Sequence, residues 1–145
     1  MPKSNVIIIN TSPLISLVAA LGDLEVLSVL YDEVIVPFAV CEEILNSERK
    51  VFAQSEFQKA TELNKQNKPV QIAPFLLNSL DLGEASVIQV ALDQNIRTVC
   101  IDETVGRRIA RLNGLSVTGS IGILLKYKQQ DRKSTRLNSS HYRTS

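Results

Sequence analysis

Two hydrophobic rhythms alternate along this chain. Short, largely apolar runs occupy 6–9 (Val6, Ile7, Ile8, Ile9), 33–36 and 98–101, the last two entered through Glu33 and Thr98, and each is rich in β-branched residues. With no polar alternation, such runs read as strands buried on both faces, as the central strands of a parallel sheet are. Between them apolar residues recur at helical spacing: Leu14, Ile15, Leu17, Val18 and Leu21; then Leu24, Leu27, Val29 and Leu30; then Val87, Ile88, Val90, Ala91 and Leu92.

Punctuation between the runs agrees with this alternation. Ser12 is expected to cap the first helix with Pro13 at its first position, and Gly22-Asp23 to break it. Pro37 stops the second strand and opens a helix to about Asn46. A longer amphipathic stretch is predicted with Val51, Phe52, Phe57, Ala60 and Leu63 on one side, ending at Asn67-Lys68-Pro69. A weak third strand is expected at 70–72, and Asp81 opens a helix that stops near Asn95. A basic helix with Arg107, Arg108 and Arg111 ends at Asn113-Gly114, a fifth strand follows at 115–118, and a closing helix at 121–128. Strands alternating with helices predict an α/β, doubly wound, mainly parallel sheet flanked by helices.

Composition narrows the class. At 145 residues and 44% hydrophobic content the chain has room for one domain with a sizeable core. No apolar run approaches the ~20 residues that span a bilayer, and a soluble cytoplasmic protein is expected. Cys41 and Cys100 lie inside apolar segments and are expected to be buried reduced thiols. The formal charge of +1 is misleading: residues 131–145 hold four of the 16 basic and one of the 15 acidic residues, which leaves 1–130 with a net of −2. A strongly basic surface for coating nucleic acid is not indicated. The stretch 131–145 is polar and without period, and 131–141 resembles the translation of a sequencing-library adapter. The domain is therefore expected over 1–130, truncated at its carboxyl end, and His141, the sole histidine, is given no role.

Candidate chemistry gathers at strand ends and helix starts: Asn10, Glu42 and Glu43, Asp81 and Glu84, Asp102 and Glu103. If the first and fourth strands are neighbours across a switch point, these groups converge on one rim of the sheet. Clustered carboxylates repel one another and call for a cation, and a set with oxygen donors only favours Mg2+ or Mn2+ over Zn2+. Each residue also has a plainer reading. Asp81 with Glu84 fits a capping box, Glu42 and Glu43 suit a helix start, and Asp102, Glu103 and Asn10 suit turns. Helical periodicity places Glu42 and Glu43 at similar angles from the apolar face and does not choose between them.

The runs Ile9-Asn10-Thr11-Ser12-Pro13-Leu14-Ile15, Val36-Pro37-Phe38-Ala39-Val40-Cys41-Glu42-Glu43-Ile44, Leu80-Asp81-Leu82-Gly83-Glu84-Ala85 and Ile101-Asp102-Glu103, followed by Gly106-Arg107-Arg108 and Val117-Thr118-Gly119, resemble a PIN-like nuclease domain. More narrowly they resemble its prokaryotic branch often found beside small antitoxin-like genes, and the likeness covers 6–128. The resemblance implies a metal-dependent ribonuclease, commonly the toxin of a toxin–antitoxin pair, with an RNA substrate, a cognate antitoxin and a homodimer as partners. By position it assigns metal ligation to Asn10, Glu43, Glu84 and Asp102, with Glu84 and Asp102 acting on the attacking water. It matches Ser12 to the hydroxyl beside the first ligand, which helps to order the metal site or a bound substrate phosphate, and Glu103 to an accessory acid. The family generally has Asp where this chain has Asn10, and an amide oxygen ligates a hard cation without bringing charge.

Arg107, with Arg108 and Arg111, is a candidate for holding RNA phosphates, although cations toward a helix carboxyl end are also ordinary. The leading expectation is thus a Mg2+- or Mn2+-dependent endoribonuclease. Its rival is a weakened PIN-like module that binds a partner protein or RNA without cutting. A doubly wound nucleotide-binding domain ranks below both, since neither a G-x-G-x-x-G run nor a P-loop occurs.

Overall fold

The first strand of the computed structural model, which describes residues 5–143, is β1 (Val6–Ile9). Ile7, Ile8 and Ile9 are all fully buried. Since successive strand side chains point to opposite faces, both faces of β1 are covered. Helices α1 (Thr11–Leu21) and α2 (Glu25–Leu30) lead to β2 (Glu33–Val36) and α3 (Phe38–Leu45). A single 3-10 turn (Glu48–Lys50), α4 (Val51–Lys59), the two-residue β3 (Asn64–Lys65) and α5 (Pro74–Leu77) follow. The chain continues through α6 (Leu82–Gln94), β4 (Thr98–Cys100), α7 (Thr104–Leu112), β5 (Ser116–Thr118) and α8 (Ser120–Arg143).

Every strand pair is parallel, in the order β3-β2-β1-β4-β5, so a five-stranded parallel sheet is flanked by helices in an α/β fold. The chain builds outward from β1 to β3, then crosses to the other side of β1 for β4 and β5. That reversal makes a switch point between β1 and β4, where a crevice opens beyond the carboxyl ends of the strands. The two strands are locked in register, with Ile9 opposite Cys100 and the Asn10 amide donating to the Cys100 carbonyl at 3.1 Å.

Several local expectations change. Helix α1 begins directly after β1, so Asn10 holds the N-cap position, and Ser12 lies exposed inside the helix with Pro13 third. The third strand is Asn64–Lys65, with Asn64 opposite Ile35 and Lys65 opposite Val36. Polar residues suit a short edge strand, and the Lys65 ammonium donates to the Phe57 carbonyl at 2.7 Å. Val70 and Ile72 instead pack against the core without joining the sheet.

Helix α4 stops at Lys59, and it is Ala53 and Phe57 that it buries, while Val51 and Phe52 face outward. The closing helix is longer than 121–128. The side chains of 133–143, and residues 144 and 145, lie outside those described, so most of the stretch read as a foreign tail, His141 included, does too.

Cys41 and Cys100 are free and buried, and burial raises both thiol pKa values, which disfavours a reactive thiolate. No helix among the described residues is long and apolar enough to cross a membrane.

Candidate functional site

Three helices begin at the rim where β1 and β4 end, and their first turns use polar side chains differently. Asp81 caps α6 by accepting from the Glu84 amide at 2.8 Å. Glu103 caps α7, accepting from the Val105 and Gly106 amides at 3.1 and 2.8 Å, and these backbone bonds hold its carboxyl below the usual range. Asn10 occupies the same position on α1 and caps nothing. Its Oδ1 is buried without a hydrogen-bond partner.

Asn10 instead faces Glu43. A Cβ placed on Gly83 would stand 2.8 Å from Glu43 Oε2, 3.1 Å from Asn10 Oδ1 and 3.6 Å from Asp81 Oδ1, so three oxygens from α3, the end of β1 and the start of α6 gather around that backbone. The Thr11 hydroxyl donates to Glu43 Oε2 at 3.0 Å. Burial raises the Glu43 pKa, the Thr11 bond opposes this, and the charge of Asp81 adds to it. Both Glu43 and Glu42, one residue earlier, are exposed overall, but Glu42 accepts only loosely from Asn46, at 3.5 Å, on its own helix.

Glu84 is the buried carboxyl of the group, 6% exposed. In a complete capping box its side chain would reach back to the Asp81 amide; here Oε2 has no partner and lies over Gly106 of α7. Burial, followed by the hydrogen bonds that its protonated form donates to the Asp81 and Glu103 carboxylates and by repulsion from their charges, raises its pKa to about 8. Gly106 is what admits this side chain, because a Cβ there would stand 2.6 Å from Glu84 Oε2 and 3.0 Å from Ile101 Cγ2. Gly106→Ala is therefore expected to lower stability by about 1–3 kcal/mol, although alanine is the better helix former by about 1 kcal/mol. Urea denaturation checks the sign, and a stabilised variant would mean that Glu84 moves aside freely.

Asp102 stands at the β4 side of the crevice. Its Oδ1 accepts from the Ser120 amide at 2.7 Å and its Oδ2 from the Ser120 hydroxyl at 2.9 Å. Arg107 is half-buried beside it, with Nη1 donating to the Ile101 carbonyl at 2.8 Å; Arg108 and Arg111 are exposed on α7. One cleft of ≈ 580 Å³ opens on Glu43, Asp81 and Gly83, and another of ≈ 400 Å³ on Asp102, Arg107 and Gly119.

The structure thus draws Asn10, Glu43 and Asp81 together, sets Glu84 between Asp81 and Glu103, and holds Asp102 at Ser120. Thr11 and Ser120 are additions that sequence reasoning did not single out. Both stand two residues past a strand end, close to the position that flagged the other candidates. Among the described residues no three Asp, Glu, His or Cys side chains lie close enough together to hold a metal ion, so the oxygens that share one point include the Asn10 amide. These donors nonetheless fit a hard divalent cation. They are all oxygens, and two of them, Asn10 Oδ1 and, when Glu84 is ionised, Glu84 Oε2, are buried and unpaired, a state that costs on the order of 1–3 kcal/mol each unless something binds them.

A parallel α/β sheet with an acidic crevice at its switch point defines a class of domain suited to phosphate-ester or nucleotide chemistry. A family model for the PIN domain matches residues 6–137, and the chain belongs to that family. PIN domains are in general nuclease modules and typically depend on divalent metal. No curated protein matches the chain.

Proposed function

We propose that this protein is a metal-dependent endoribonuclease that hydrolyses phosphodiester bonds with Mg2+ or Mn2+. The observation that carries this reading is the pair of buried, unpartnered oxygens, Asn10 Oδ1 and Glu84 Oε2, at the rim that also holds Glu43 and Asp102. Capping and turn formation, the plainer uses of such residues, leave these two atoms unexplained. Asn10, Glu43, Glu84 and Asp102 would hold the cation, and Thr11 would fix the Glu43 carboxylate toward it.

When bound, such an ion activates water and neutralises charge on the phosphoryl oxygens. Glu84, already inclined to hold a proton, is placed to exchange one with the attacking water, and Asp102 to orient it. Arg107, anchored on the Ile101 carbonyl, offers its remaining donors to a substrate phosphate, and the exposed Ser12 stands on the first turn of α1. Cleavage of a mixed RNA pool is expected with Mn2+ and is expected to stop on addition of a chelator. Cutting that survives the chelator would defeat the proposal.

Asn10 favours a second reading. An amide at the crevice brings no charge to a cation, as in a PIN-like module that binds RNA or a protein partner without cutting.

A further inference from the structure

We propose that Ser120 is a positioning residue for the metal site, setting the plane of the Asp102 carboxylate by gripping both of its oxygens. This rests on the metal-dependent reading above. Ser120 is 18 residues from Asp102 in sequence and is the first residue of α8. Its amide and hydroxyl reach Oδ1 and Oδ2 at 2.7 and 2.9 Å. One bond would leave the carboxylate free to rotate about its Cβ–Cγ axis, whereas two bonds from a single buried residue fix it.

Each carboxylate oxygen retains a further lone pair, so the grip leaves Asp102 able to ligate. An acid held in orientation before the cation arrives loses less freedom on binding. The residue before Ser120 is shaped for the same contact. A Cβ on Gly119 would stand 2.7 Å from Asp102 Oδ1 and 2.8 Å from Arg107 Nη1. Only a residue without a side chain lets the carboxylate reach α8 while the Arg107 guanidinium stays on the Ile101 carbonyl.

A plainer role exists for the same bonds. Asp102 would simply satisfy the first amide of α8, as a capping residue does. The two roles differ in what removal of the hydroxyl changes. Ser120→Ala keeps the backbone bond to Oδ1 and removes only the bond to Oδ2, so capping survives and orientation does not.

The test is calorimetric titration of the full chain with Mn2+, with metal-free thermal melting alongside, for the wild type, Ser120→Ala, Ser120→Thr, Asp102→Asn and the Ser120→Ala/Asp102→Asn pair. Ser120→Ala is expected to weaken Mn2+ binding about tenfold, the usual cost of losing a group that orients a metal ligand. Ser120→Thr is expected to restore it. In the Asp102→Asn background the alanine is expected to add nothing, since it acts through that carboxylate. An unchanged Mn2+ dissociation constant in Ser120→Ala overturns the proposal, whatever happens to the metal-free melting temperature. Full additivity in the double variant overturns it too. If the wild type takes up no Mn2+, the metal-dependent reading falls and this inference falls with it, an outcome distinct from a wild type that binds and an alanine variant that binds equally well.

Discussion

Asp102→Asn is expected to lower Mn2+-dependent RNA cleavage by about a hundredfold or more, the scale of losing several kcal/mol of metal-assisted stabilisation. The substitution is nearly isosteric and leaves one oxygen to accept from Ser120, so the fold and α8 are expected to persist. What it removes is one negative charge at the rim. Asn10→Asp makes the opposite change. It places a carboxylate beside Glu43 and Asp81, around the Gly83 backbone.

Without metal that added charge is expected to destabilise the chain by about 1–3 kcal/mol, because it is buried near like charges. With metal it is expected to tighten Mn2+ binding about tenfold or more and to raise cleavage, since charge count tunes affinity for hard cations. Cleavage of a labelled RNA by the two variants and the wild type decides between the readings. A wild type that cuts and an inactive Asp102→Asn establish the nuclease. If only Asn10→Asp cuts, the chain binds RNA or a partner without cleaving it, and Asn10 is what disables the chemistry.

The second large effect is on stability against pH. Burial and the neighbouring acids raise the Glu84 pKa from 4.5 to about 8. The folded chain therefore holds a proton that the unfolded chain has released, throughout the window from about pH 4.5 to about pH 8. The stability this provides is full below the unfolded value and is lost as pH rises through the folded one. Metal-free protein is expected to lose on the order of 2 kcal/mol between pH 5 and pH 8, with the proton shared among coupled acids.

Glu43, whose pKa is also raised, adds to the same slope. Glu103 is shifted downward and acts only at lower pH. Urea denaturation in chelator at several pH values measures the slope, which Glu84→Gln is expected to reduce sharply. Mn2+ favours the ionised carboxylate, so its stabilising effect is expected to grow across the same window. A variant that keeps the full slope would assign the proton elsewhere.

The alternation of strands and helices is written in the local sequence. Four adjacent β-branched residues at 6–9 have no polar face to turn to water, and they form the central strand. Gly22 and Asn95, both at positive φ, end α1 and α6 where the apolar period runs out. The third strand was not legible. Val70 and Ile72 have the higher β-propensity, but Asn64 and Lys65 are the residues that arrive beside β2, and edge pairing depends on which segment reaches the open strand.

By itself the sequence determined the order of elements, the parallel sheet and the set of acids and amides waiting at strand ends, because periodicity and turn chemistry act over a few residues. Only the tertiary structure decided how those groups meet. It put β4 beside β1, turned Glu43 rather than Glu42 toward Asn10, supplied Thr11 as the hydroxyl on Glu43, left Glu84 out of its capping box and brought Ser120 to Asp102. These are contacts between elements far apart in the chain. Strand order and helix packing settle them, and no local pattern encodes either.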